Sequence, residues 1–100
     1  MYAQLITVSI KPDQIDEFKE LYEEYINPEI KTQKGYKNFY LLVDREKSKA
    51  LSITIWEDQD AAEASEEINL YLEQRASYPL YSAAPVREGF EVAMEDRKPG

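Results

Sequence analysis

The sequence predicts an α+β domain with the order β-α-β-β-α-β, the ferredoxin-like split βαβ pattern, its two helices on one face of a four-stranded antiparallel sheet. Three observations lead there. Four short stretches rich in branched and aromatic residues alternate with two long acidic stretches whose apolar residues recur at spacings of three and four. Pro, Gly and charged clusters punctuate the boundaries. The chain is 100 residues long and shows no internal repeat or linker, so it makes one domain.

Residues 2–10 read as the first strand; Leu5, Ile6, Val8 and Ile10 fall on both faces of the pleat, which predicts burial on both sides. Lys11-Pro12-Asp13 stops it. Asp13 is placed to cap a helix, with Asp16 in the first turn where negative charge suits the helix dipole. That helix is expected over residues 14–30, with Ile15, Phe18, Leu21, Tyr22, Tyr25, Ile26 and Ile30 as its inner stripe. Pro28 is expected to kink or end it near Asn27, and Gly35 resets the chain.

Residues 36–44 and 50–56 form the second and third strands, joined by the charged hairpin loop Arg45-Glu46-Lys47-Ser48-Lys49. A second helix is expected over residues 59–76, capped by Asp58 or Asp60, with Asp60 and Glu63 at capping-box spacing. Its inner stripe is read as Ala61, Ala64, Ile68, Tyr71 or Leu72, and Ala76. Pro79 and Pro85 bracket an irregular link. Residues 86–94 read as the last strand of a domain spanning 1–94, and residues 95–100 as a polar tail.

The strands carry apolar residues at both parities. Leu51, Ile53 and Ile55 oppose Ala50 and Trp56 in the third; Phe39, Leu41 and Val43 oppose Tyr36, Tyr40 and Leu42 in the second. A sheet wet on one face would alternate more cleanly. The second face needs a cover, and no further element remains to supply it, so a homodimer packed sheet against sheet is expected.

Composition narrows the chemistry. Twelve Lys and Arg stand against twenty Asp and Glu, a net charge of -8, which argues against nucleic acid or an anionic membrane as partner. Fourteen of the twenty acidic residues lie in residues 13–29 and 57–75, so the charge marks the outer faces of the two helices. No Cys excludes thiolate chemistry and Cys-based zinc sites, and no His removes the commonest metal ligand and near-neutral base. No signal peptide is read at the start, and no apolar run approaches the ~20 residues of a membrane span, so a soluble, cytoplasmic protein is expected. No carboxylate spacing suggests a metal site.

Four segments carry a family resemblance. Val8-Ser9-Ile10-Lys11-Pro12-Asp13 is similar to a V-x-V-K-P-G strand-to-helix entry, with Asp in place of Gly. Gln33-Lys34-Gly35-Tyr36 is similar to an x-P-G-F/Y turn, with Lys in place of Pro. Leu42-Val43-Asp44-Arg45-Glu46 is close to an L-x-D-R-E hairpin, and Ile53-Thr54-Ile55-Trp56-Glu57-Asp58 to a W-E-D/S strand-to-helix junction. Together, over residues 2–94, the chain resembles the antibiotic biosynthesis monooxygenase domain of the dimeric α+β barrel superfamily.

That resemblance implies a homodimer whose two sheets form a barrel, and a hydrophobic pocket between sheet and helices in each subunit. It also implies an activity among cofactor-independent monooxygenases of aromatic polyketides, quinol monooxygenases or haem-degrading enzymes. Haem-degrading relatives need a His on the second helix and an Asn on the first strand. This chain has no His and no Asn in its first ten residues, which rejects that branch. Many other members place a His nine residues after the strand-end Trp, where Ser65 stands here beside Glu66.

Oxygenation without a cofactor relies on the substrate's own anion to reduce oxygen, so the site must be apolar, hold an aromatic ring and stabilise a phenolate or peroxide. Trp56 matches a family position and would either line the pocket or close the barrel end over the helix start. Asn69, Tyr71 and Arg75 or Arg87 match the family's implicated residue types; for Arg87, beside Glu88 in the final strand, a cross-strand ion pair is the alternative role. The small residues Ala61, Ala62, Ala64 and Ser65 make the start of the second helix thin-sided, which either packs close or leaves room for a ligand. Two functions are therefore expected: a cofactor-independent monooxygenase of an aromatic or quinol-type small molecule, with Trp56 and Tyr71 lining the pocket; or a non-catalytic homodimeric module that binds a small hydrophobic ligand or stabilises a partner. Neither uses a metal or a cofactor.

Overall fold

A computed structural model describes residues 1–99. Strands β1 (Tyr2–Ser9), β2 (Tyr36–Asp44), β3 (Lys49–Trp56) and β4 (Val86–Glu91) form one antiparallel sheet in the order β2-β3-β1-β4. The fold is α+β and ferredoxin-like. In the central row Leu41, Ser52, Ile6 and Arg87 lie side by side, because Ile6 pairs with both Ser52 and Arg87 and Ser52 pairs with Leu41. Of the even-numbered residues of β1 and β3, Ile6, Val8, Ala50, Ser52, Thr54 and Trp56 are buried and Tyr2 and Gln4 half-buried, which makes theirs the helix-covered face. No helix among the described residues is long and apolar enough to cross a membrane.

The first helical rod consists of α1 (Ile15–Leu21), a π-helical turn (Tyr22–Ile26) and α2 (Asn27–Ile30). Pro28 was expected to kink or end it; instead the helix widens just before the proline and continues. Pro28 has no N–H for the Glu24 carbonyl, and its ring would collide with that carbonyl in a regular turn. The wide turn resolves both conflicts, with the Asn27 N–H reaching back to the Tyr22 carbonyl. The same turn corrects the helix phase. Each four-residue step overshoots a straight α-helix by about 40°, so the three steps from Phe18 to Ile30 would rotate the stripe by about 120°. With the π turn, Phe18, Tyr22, Ile26 and Ile30 all stay buried.

Other boundaries also shift. Asp13 does not cap α1: it sits at φ 64, and Gln14 precedes the helix without a side-chain cap bond. Asp is among the few side chains that tolerate this left-handed backbone, which accounts for its standing at a glycine-type position. Strand β4 stops at Glu91 rather than Met94. The Val92 N–H still donates to the Met1 carbonyl at 3.0 Å, but β1 begins at Tyr2, so residues 92–94 have no strand beside them. Residues 92–99 form no helix or strand; Gly100, the last residue of the expected tail, lies outside the described residues.

Helix α3 (Gln59–Ala76) is capped by Asp58, whose carboxylate accepts the Ala61 N–H at 2.8 Å. The Asp60–Glu63 capping box is not used: Glu63 instead accepts from the Gln59 side chain at 3.0 Å. The stripe assigned to this helix is corrected by one position. Its buried residues are Ala62, Ser65, Asn69 and Glu73, whereas Ile68 and Tyr71 are each 55% exposed. Counting apolar residues selects the wrong face, because the inward face of α3 is the polar one.

The opposite face of the sheet is apolar and uncovered. Leu5, Leu51, Ile53 and Ile55 are half-buried there by their neighbours, and Tyr40, Leu42, Val86 and Phe90 are exposed.

Gly35 joins the first rod to β2 and sets the start of α3. It sits at φ +87, its carbonyl accepts the Glu57 N–H at 2.7 Å, and a Cβ there would lie 2.5 Å from that of Ala61. Gly35→Ala adds left-handed strain to this collision and is expected to lower the unfolding free energy by about 2–4 kcal/mol in urea titrations. A variant within about 0.5 kcal/mol of wild type contradicts this account of the turn.

Candidate functional site

The inward face of α3 places Ala62, Ser65, Asn69 and Glu73 one helical turn apart above the sheet. Beneath them β3 presents Ser52, Thr54 and Trp56, and β4 presents Arg87. The layer between helix and sheet is thus lined by small polar groups, one indole and one ion pair. Burying polar groups is costly unless each is satisfied, so their partners matter.

Glu73 is 1% exposed and accepts a 2.7 Å hydrogen bond from Arg87 Nη1 on Oε2. Its other oxygen has only a long 3.5 Å contact from the Tyr22 hydroxyl. Burial pushes the Glu73 carboxyl above its ordinary range, while the Arg87 guanidinium and the Tyr22 hydroxyl pull it down. Burial works against the Arg87 charge, but the Glu73 hydrogen bond and charge outweigh it and hold the guanidinium protonated. Burial, and then the Glu73 charge, push the Tyr22 hydroxyl well above its usual value. Burial likewise raises Tyr81 to about 12 against its hydrogen bond with Ser77.

Asn69 Oδ1 accepts the Gln33 side-chain amide at 2.8 Å, and Ser65 bonds back to the Ala62 carbonyl at 2.8 Å. Among the described residues three buried side-chain donors have no protein acceptor: Trp56 Nε1, Arg87 Nε and Arg87 Nη2. Trp56 is fully buried, with Tyr36 edge-on at 6.1 Å between ring centroids.

Two grooves flank this layer. On the β4 side a cleft of about 150 Å³ is lined by Tyr2, Gln4, Ala62, Arg87 and Gly89, with Glu63, Glu66 and Glu88 also on its walls. On the β2 side a groove of about 350 Å³ has Tyr22, Asn27, Phe39, Leu41 and Val43 in its lining. The Tyr22 and Phe39 rings in its lining stack with 5.7 Å between ring centroids. No group of three or more acidic residues among those described is arranged to hold a metal ion.

Four of the residues singled out from the sequence, Trp56, Ser65, Asn69 and Arg87, fall on this buried layer. Tyr71 and Arg75 do not: both lie on the outer face of α3, where Arg75 Nη1 donates to the Tyr71 hydroxyl at 2.9 Å and the guanidinium lies 5.7 Å from its ring centre. Tyr71 belongs to the stripe that the polar inner face displaced, and Arg75 lies one turn beyond it. Arg87 does form an ion pair, but with Glu73 on α3 and not across the strands. Sequence reasoning missed Glu73 and Gln33, whereas it placed Tyr22 in the inner stripe of the first helix, where the structure buries it. Glu73 was open to discovery, since it stands four and eight residues beyond Asn69 and Ser65, the spacing of one helical face.

Residues 1–73 match the sequence model of a family described as antibiotic biosynthesis monooxygenase. The chain belongs to that family. The match runs from β1 to Glu73 and leaves β4, with Arg87, beyond it. No curated protein sequence matches the chain. Among solved structures this family member is similar to a protein of unknown function from Nitrosomonas europaea, at 16% identity and TM-score 0.80, covering 99% of this chain and 95% of the other. A second Nitrosomonas europaea protein, assigned as an antibiotic biosynthesis monooxygenase, aligns at 16% identity and TM-score 0.76 over 94% of this chain and all of its own. SnoaB, a cofactor-independent oxygenase from Streptomyces nogalater, aligns at 15% identity and TM-score 0.77 over 94% of each chain. At these identities the likeness is one of fold.

Proposed function

We propose that this family member is a cofactor-independent monooxygenase of an aromatic or quinol-type small molecule that binds between α3 and the sheet. The observation that carries the proposal is a layer under α3 that leaves buried donors unpartnered at two separate places, Arg87 Nε and Nη2 on β4 and Trp56 Nε1 at the end of β3. Donors held out of water without acceptors cost stability, and they are suited to an oxyanion arriving from outside the protein. The similarity to a cofactor-independent oxygenase of the same fold supports the same reading.

In this mechanism the protein supplies no electrons. The substrate anion reduces dioxygen; one oxygen atom enters the product as a carbonyl and the other leaves as water. Arg87 holds the anion by fixed positive charge, Trp56 gives an apolar flank and one N–H, and the closed layer excludes bulk water. The second function expected from the sequence, a non-catalytic binding module, predicts ligand binding without oxygen consumption.

We further infer a homodimer through the uncovered sheet face. Ile53, Leu51 and Leu5 form its middle, with Tyr40, Leu42, Val86 and Phe90 around them, an apolar surface of the kind that monomers seldom leave in water. The expected cytoplasmic location stays part of this proposal.

Oxygen uptake with quinols and anthrones is expected for wild type. Trp56→Phe should lower turnover on the order of tenfold, the equivalent of one lost hydrogen bond. Tight binding with no oxygen uptake on any of these compounds would favour the non-catalytic module. Sedimentation at micromolar concentration should give a dimer, and Ile53→Lys a monomer. A monomeric wild type refutes the interface.

A further inference from the structure

The β4-side cleft is built on a glycine. Gly89 stands in the middle of β4 with ordinary strand backbone, so no turn or left-handed angle calls for it there. Space calls for it instead. A Cβ at position 89 would lie 2.7 Å from Cζ and 2.9 Å from Cε2 of Tyr2, and would collide with the Tyr2 hydroxyl. The Tyr2 ring thus leaves its own strand, β1, and lies across β4 with its hydroxyl end over the glycine. Gln4, the cross-strand partner of Gly89, sits on the same face, and Ala62 of α3 forms part of the opposite wall.

We propose that Tyr2 and Gln4 are the substrate-holding residues of this cleft: they receive one neutral aromatic ring through its oxygen substituents, while a hydroxyl of that ring donates to the Glu66 carboxylate. This rests on the proposed monooxygenase function and assigns the residues that recognise its substrate.

The groups a ligand would meet there are open and unused. Tyr2 and Gln4 are half-buried, and among the described residues no hydrogen bond within the chain holds the Tyr2 hydroxyl or the Gln4 amide. Arg87 also lines the cleft, but its free Nε and Nη2 are buried. Recognition in the cleft therefore falls to Tyr2, Gln4 and the two carboxylates of α3 beside them, Glu63 and Glu66. Glu63 already accepts from the Gln59 side chain at 3.0 Å. Glu66 stands one helical turn beyond the inward-facing Ala62 and is the freer acceptor.

These groups favour one redox form of the ring. A carboxylate only accepts hydrogen bonds. A ring hydroxyl can donate to it in a charge-assisted bond. The carbonyl of an oxygenated product cannot, and would set its lone pairs against the negative charge; a phenolate is turned away by like charge. The cleft thus takes up the reduced, neutral ring and lets the oxidised one go. Its volume of about 150 Å³ suits a single ring, the size of cavity that takes up benzene. Any further rings of the substrate would remain toward solvent.

A purely structural role for Tyr2, as an aromatic cover for a strand glycine, would be served equally by Phe. The test is therefore calorimetric titration without oxygen, using methylhydroquinone, methylbenzoquinone and the dimethyl ether of methylhydroquinone. Wild type is expected to bind the hydroquinone about tenfold more tightly than the other two, the factor one hydrogen bond supplies. Tyr2→Phe is expected to unfold in urea as wild type does, yet to lose about tenfold in hydroquinone affinity. Glu66→Gln is expected to lose the preference over the quinone, because an amide also donates. Equal wild-type affinity for all three compounds, or a Tyr2→Phe protein that binds like wild type, overturns the inference. So does absence of binding; oxygen uptake by the same wild-type protein with quinols or anthrones would then leave the proposed function standing. Binding in the expected order without oxygen uptake supports the roles of Tyr2, Gln4 and Glu66 and overturns the monooxygenase reading instead.

Discussion

The buried contact between Glu73 and Arg87 is the constraint around which the helix layer is arranged. It is the only salt bridge among the described residues with a fully buried partner; the other two, Lys19–Glu23 and Asp16–Arg45, are exposed. A buried carboxylate cannot be left without a cation, so α3 and β4 must keep their relative positions within the tolerance of a hydrogen bond. Strand β4 is the edge of the sheet and pairs with β1 alone, which makes this second tie to α3 more consequential. The π turn in the first rod serves the same arrangement from the other side. It holds Tyr22 in phase with the core, where its hydroxyl faces Glu73 and its ring stacks on Phe39.

Hydrophobic burial elsewhere carries the stability that such a layer subtracts. Ile6, Val8, Phe18, Ile26 and Ile30 build an apolar core beneath the first rod, and the polar layer lies beside it under α3. The molecule thus has a conventional half and a costly half. The costly half contains the unpartnered donors, the thin-sided helix start at Ala62 and Ser65, and the β4-side cleft. Polar groups held in this way are typical of sites where a ligand completes the set of partners.

Much of this was legible in the sequence, and the exceptions have physical causes. Period-two runs and turn residues sufficed for the order of the elements, and the apolar residues at both parities of β2 and β3 announced the uncovered second face. Trp56, Asn69 and Arg87 were picked out before their positions were known. The stripe of α3 was misread because hydrophobic periodicity assumes that the inward face is the apolar one. Here Ile68 and Tyr71 face outward and Asn69 and Glu73 face inward, so the rule inverted, and Tyr71 and Arg75 went to the site in place of Glu73. The π turn was illegible for a different reason. Pro28 signals a broken hydrogen bond, but nothing local says whether the helix ends there or widens and continues.

If the pair is retained for chemistry, it should contribute little to stability as a unit. Urea unfolding of Glu73→Leu, Arg87→Met and the double variant tests this most directly. Each single variant leaves one member of the pair without its partner, and each is expected to lose about 3–5 kcal/mol. The double variant, with an apolar pair of similar volume, is expected to lie within about 1 kcal/mol of wild type or above it. A double variant that is itself destabilised by about 3 kcal/mol or more would show that the pair contributes net stability to the fold, and would contradict the account.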